Sequence, residues 1–100
     1  MSVSAKQKKQ YRNLGHKLNP VVTIAAEGLT SGVLNELNRA LNDHELIKVK
    51  IAREDRQQRK QLIHQICQDT GAELIDDIGK IALILRPVKN PNPKLSNLLR

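Results

Sequence analysis

A lone thiol, three imidazoles and the adjacent carboxylates of Asp76 and Asp77 are the side chains of this sequence best suited to catalysis or metal binding. Cys67 falls on an apolar stripe with Leu62, Ile63 and Ile66, where a thiol behaves as a small hydrophobe and not as an activated nucleophile. As the only cysteine it excludes an internal disulfide, a thiolate zinc cluster and a redox pair, and it fits a reducing compartment. His16, His44 and His64 sit in three separate segments, so no two share metal-ligand spacing on one face. Asp76 and Asp77 are neighbours in a strand-like run, and strand alternation turns them to opposite faces, where they cannot share a proton as acid and base. Gly79-Lys80 lacks both the preceding glycine and the following helix of a phosphate loop and reads as a turn. No enzyme activity, metal, cofactor or small-molecule substrate is expected.

The cationic side chains point elsewhere. Seventeen Lys and Arg face ten Asp and Glu, a net charge of +7. Residues 1–20 carry Lys6, Lys8, Lys9, Arg12 and Lys17 with no acid, and residues 79–100 carry Lys80, Arg86, Lys89, Lys94 and Arg100 with no acid. The middle holds seven basic and ten acidic groups, so the segments sum to +5, −3 and +5. A cationic surface attracts a polyanion because neutralising phosphates releases condensed counterions. The groups expected to do so come from several elements: Lys6, Lys9 and Arg12, then Lys17, then Lys48 and Lys50, then Arg53 and Arg56. Tyr11 is the sole aromatic, so bases cannot stack on an aromatic platform, and contacts are expected at phosphate and sugar. RNA read by charge and shape is the leading partner. A general RNA-annealing module and a protein-interaction adaptor whose charge serves only solubility are the rivals.

These groups need elements to position them. Ser4 is an N-cap for a short basic helix closed by Gly15, and Pro20 then leads into the β-branched strand Val21–Ala25. Thr30 caps a helix with Val33, Leu34, Leu37, Ala40 and Leu41 on one side. Leu46–Ile51 alternates, with Ile47, Val49 and Ile51 on one face and Lys48 and Lys50 on the other. Asp55 caps a third helix that Gly71 ends. The cluster Arg53, Arg56, Arg59 and Lys60 at its start opposes the helix dipole, which marks it as a functional candidate. Glu73–Ile78 and Ile81–Arg86 flank Gly79-Lys80 as a hairpin. The order α-β-α-β-α-β-β implies an α/β two-layer sandwich, a small four-stranded mixed sheet that serves as a scaffold for helices packed on it.

One hundred residues make one domain, taken as residues 1–88, and the Pro- and Asn-rich remainder, 89–100, reads as a flexible basic tail. No run approaches the roughly 18–20 apolar residues of a membrane span, and no apolar h-region follows Met1. A cytoplasmic protein is expected. No heptad argues for a coiled coil, so a monomer is expected.

Together, Leu18-Asn19-Pro20-Val21-Val22, the turn ending Gly28-Leu29-Thr30, His44 through Ile51, Thr70-Gly71-Ala72, and Ile78-Gly79-Lys80 closing on Leu85-Arg86-Pro87 resemble the YhbY family. This is the stand-alone bacterial form of the CRM (chloroplast RNA splicing and ribosome maturation) domain, and the resemblance spans about residues 4–88. It implies a fold similar to the C-terminal domain of translation initiation factor three and a role on precursors of the large ribosomal subunit, in ribosome assembly. It also implies a backbone-clamping GxxG turn like that of KH domains. Here that turn reads Ala25-Ala26-Glu27-Gly28: Gly28 keeps the second glycine, Ala25 replaces the first, and Glu27 adds a negative charge. The implied RNA-binding positions are Glu27, Gly28, Leu29 and Thr30, together with Lys48, Lys50, Arg53 and Arg56, which match the family's basic positions.

Overall fold

Three helices start where side chains satisfy the free N–H groups of their first turns. The computed structural model describes residues 3–25 and 27–99. Helix α1 (Ala5–Gly15) opens with a capping box: Gln7 N–H donates to Ser4 Oγ at 3.2 Å and Ser4 N–H donates to Gln7 Oε1 at 3.1 Å. Helix α2 (Ser31–His44) is capped by Thr30, and α3 (Arg56–Thr70) by Asp55, whose Oδ1 accepts from Gln57 N–H at 3.0 Å. Gly71 ends α3 with a φ of 74°. The strands are β1 (Pro20–Ile24), β2 (Leu46–Ile51), β3 (Glu73–Ile78) and β4 (Ile81–Leu85).

The sheet runs β1-β2-β4-β3. Strands β1 and β2 are parallel, whereas β4 is antiparallel to both of its neighbours. The expected element order and four-stranded mixed sheet are therefore present. Strand β1 starts and ends one residue earlier than the sequence predicts, and β4 stops at Leu85.

Helices α2 and α3 cover one face, where Ile47, Val49, Ile51, Ala82 and Ile84 meet Leu37, Leu41, Ile63 and Ile66. Burying each Leu, Ile or Val of this set contributes roughly 1.5–3 kcal/mol, which lets a core without Phe or Trp hold together. The opposite face is also used. Leu46, Ile75, Leu83 and Leu85 form a second cluster with Val3, Tyr11, Leu18 and Leu98, so α1 and the C-terminal segment lie across this side.

Gly15 does not act as a left-handed stop for α1. It is the last helical residue, buried, and His16 follows in right-handed geometry. A Cβ on Gly15 would lie 2.6 Å from Leu83 Cδ2. The glycine is needed because α1 presses its end onto the sheet there.

Beyond Pro87 the sequence predicts a mobile arm, but residues 96–98 are packed. Ser96 is fully buried and its hydroxyl donates to Glu45 Oε1 at 2.7 Å. Asn97 Nδ2 donates to the Leu46 carbonyl at 2.7 Å, Asn97 N–H donates to the His44 carbonyl at 2.9 Å, and Leu98 joins the second apolar cluster. Apolar content is a poor guide here because polar side chains make the attachment. Arg100 lies outside the described residues.

Glu45 is the hub of this attachment. It is 3% exposed, with φ 64° and ψ −50°, a backbone region that costs a non-glycine residue energy. Its surroundings hold it there: its N–H donates to Leu41 O, its carbonyl accepts from Arg86 N–H, and its carboxylate accepts from Ser96 Oγ and, at 3.0 Å, from Val88 N–H.

Candidate nucleic-acid interface

The register of the sheet sets the first group of cations. On the α1 side, Lys48, Leu83 and Asp76 form one cross-strand row, and Lys50, Ile81 and Ile78 form the next. The two lysines are therefore one row apart, about 7 Å, along β2. Helix α1 lies over this side, with Lys6, Lys9 and Arg12 spaced three residues apart so that each neighbours the next along the helix surface. Arg12, His16 and Lys48 line a common cleft at the end of α1, floored by Ile78, Ile81 and Leu83. Lys17 lines a second hollow that Lys48 also borders. Lys6, Lys9, Lys17 and Lys50 are exposed, and Arg12 and Lys48 are half-buried.

The second group lies at the end of the sheet where β1 and β2 finish. Because these strands are parallel, the turn after β1 and the link after β2 are neighbours, joined by Ala52 N–H donating to Ile24 O at 2.9 Å. The β3–β4 turn reaches the same end, where Ile51 N–H donates to Lys80 O at 2.7 Å. The N-termini of α2 and α3 open from it.

The turn explains the altered GxxG pattern. Gly28 N–H donates to Ala25 O at 3.0 Å, and Gly28 has φ 74°. Among the described residues Glu45 is the only non-glycine with positive φ, so Ala25 takes an ordinary backbone conformation and only the last position needs glycine. Ala26 lies outside the described residues. A Cβ on Gly28 would come 3.3 Å from Arg53 Nη2, so the bare backbone lets a guanidinium lie against the turn. Arg56, the first residue of α3, is exposed and lines a separate hollow with Lys60, Asp77 and Gly79, and Glu27 is exposed on the turn itself. Leu29 packs against the core, and Thr30 uses its hydroxyl as the α2 cap.

Several cations already have structural partners. Arg86 Nη1 donates to Asn38 Oδ1 at 2.7 Å and Thr70 O at 2.8 Å, while Nη2 donates to Asn38 O at 3.0 Å and Asn42 Oδ1 at 2.8 Å. It ties β4 to α2 and the end of α3. Arg59 Nη1 donates to the carbonyls of Arg53 and Glu54, both at 2.8 Å, which fixes the link that carries Arg53. Part of the basic cluster at the start of α3 thus serves the fold. Lys80 donates to Glu54 Oε1 at 2.6 Å, and this hydrogen bond and charge hold the Glu54 carboxyl below its ordinary range. Among the described residues, Arg12, Lys17, Lys48, Lys50, Arg53 and Arg56 take part in no ion pair.

Sequence reasoning missed Arg59 and Glu45 as organisers. Arg59 was visible only as one more cation, and a single Glu between helix and strand carries no pattern that predicts a buried hub. Cys67 is half-buried, and burial pushes its thiol up from its ordinary pKa.

Comparison with known proteins places these features in a wider group. The CRS1 / YhbY (CRM) domain matches residues 3–86. A protein of Pseudomonas aeruginosa named as a probable RNA-binding protein is 49% identical over 100 residues, covering 100% of this chain and 96% of its own. An RNA-binding protein of Haemophilus influenzae is 46% identical over 86 residues, covering 86% of this chain and 87% of its own. The solution structure of a hypothetical Staphylococcus aureus protein, proposed to bind RNA, superposes with a TM-score of 0.79 at 28% identity, covering 89% of this chain and 93% of that one.

Proposed function

Because the chain belongs to the CRS1 / YhbY (CRM) domain family, we propose that it is an RNA-binding protein that docks on structured ribosomal RNA and assists assembly of the large ribosomal subunit in the cytoplasm, acting as a monomer and without catalysis. The observation that carries this reading is the gathering, from separate elements, of cations that form no ion pair among the described residues: Arg12 and Lys48 at one cleft, Lys50 one row further along β2, and Arg53 against the Gly28 turn. Phosphates spaced along an RNA strand can meet these groups in succession, each contact releasing counterions. Backbone N–H groups at the starts of α2 and α3 add partial positive charge at the same end. RNA-binding relatives support the partner class, and the resemblance to the YhbY family supports the ribosomal precursor as its source.

The test is a binding titration of the full chain on large-subunit RNA fragments across a salt series. Lys48→Ala with Arg53→Ala should weaken binding at least tenfold and make the salt dependence shallower. Unchanged affinity in a folded double variant would overturn the reading. Sedimentation of a lysate through a gradient checks the ribosomal assignment: salt-sensitive migration with large-subunit precursors is expected, and equal affinity for unrelated structured RNAs would favour a general annealing module.

A further inference from the structure

The cleft at the end of α1 has an apolar floor that phosphate contacts do not explain. Ile78 is 67% exposed, the most exposed large hydrophobic side chain among the described residues, and it stands beside half-buried Ile81 in the row above Leu83. Lys48 and Lys50 border this strip on the β2 side, Arg12 borders it from α1, and Asp76 closes the β3 side. The cleft measures about 200 Å³, smaller than the roughly 300–1,000 Å³ of sites for drug-sized ligands.

We propose that this strip receives one unpaired nucleotide of the bound RNA. Its phosphate meets Arg12 and Lys48, its base lies flat on Ile78 and Ile81 with its edge toward buried Leu83, and an amino group on the base edge donates to Asp76. Charge complementarity selects the occupant. An aliphatic surface with cations along one rim suits a ligand that is anionic at one end and flat and apolar at the other. From β2 across β4 to β3 is about 10 Å, two inter-strand spacings, the reach from a phosphate across a ribose to the far edge of its base. A carboxylate accepts well from base amino groups, so adenine, cytosine and guanine fit and uracil, lacking that group, fits less well. The sheet thereby does more than scaffold the helices: it takes a base without an aromatic platform, and the site prefers RNA with a bulge or looped-out base over unbroken duplex.

This inference rests on the RNA-binding reading, and the experiment separates the two. The full chain is titrated with an RNA duplex, the same duplex carrying one bulged adenine, and the same duplex carrying one bulged uracil. About tenfold tighter binding of the adenine bulge than of the unbroken duplex is expected, with uracil between them. Ile78→Ser, on an exposed position that does not support the core, should abolish the preference, read as the ratio of bulged to unbroken duplex affinity in the same variant. Asp76→Asn should narrow the gap between adenine and uracil. Equal binding of all three RNAs overturns the nucleotide site and leaves RNA binding standing, whereas binding of none overturns both. If Ile78→Ser keeps the RNA preference but converts a dimer to a monomer in sedimentation, the strip is a contact between copies of this chain and the proposal falls.

Discussion

The hydroxyl of Ser96 donates to the buried Glu45 carboxylate at 2.7 Å across 51 residues of sequence, and so secures the C-terminal segment to the junction of α2 and β2. A buried carboxylate left short of a donor is costly, and a hydrogen bond to a charged group contributes about 1.5–3 kcal/mol. Ser96→Ala should therefore lower stability in urea or thermal unfolding by about that amount. Stability equal to the parent chain would show that the segment is not held there.

Gly15 and Leu83 give a second test. The Gly15→Ala methyl would need Leu83 to yield, an overpacking that costs about 1–3 kcal/mol. Leu83→Val, which is destabilising alone, should cost less in the Gly15→Ala background, and a double-mutant cycle in denaturant reads the coupling. Additive effects would mean that α1 does not press on the sheet at this point.

Two cations of the same formal charge should behave differently. Arg86→Lys cannot reproduce a planar fork that reaches two side-chain and two backbone oxygens, and it should destabilise the fold by about 2–3 kcal/mol with little change in RNA affinity while the chain stays folded. Lys48→Ala should do the reverse, reducing the slope of log affinity against log salt by about one. An equal effect of both on RNA affinity would break the distinction.

The Glu54–Lys80 pair makes a pH prediction. With Lys80 bonded to it, Glu54 titrates below its ordinary value of 4.5, and Arg59 adds a smaller push in the same direction. A depressed carboxyl contributes stability above its unfolded pKa and loses it as pH falls through the folded value, so the contribution fades in acid below about 4.5. The pair is exposed and solvent-screened, so the sensitive measurement is the carboxyl titration by NMR. Lys80→Met should move the Glu54 midpoint upward, and an unmoved midpoint would refute the contact.

Much of the fold was legible because its signals are local. Ser4, Thr30 and Asp55 cap the helices they were expected to cap, Gly71 ends α3, and the alternation of Leu46–Ile51 places Lys48 and Lys50 together. The same locality misled at Gly15, where a glycine after a helical run reads as a stop until Leu83 arrives from a distant strand. It misled again at residues 96–98, where low apolar content hid a segment attached by Ser96 and Asn97.

For the candidate interface, the sequence alone determined which residues are cationic, roughly which element carries each, and that Tyr11 is the sole aromatic. Tertiary structure decided which charges remain available. Arg53 and Arg86 are alike as letters, but Arg86 meets four oxygens of α2 and α3, while Arg53 lies against a glycine turn and takes part in no ion pair among the described residues. Periodicity specifies the faces of one element at a time, whereas the hydrogen-bonding capacity left on a side chain depends on atoms brought to it from tens of residues away.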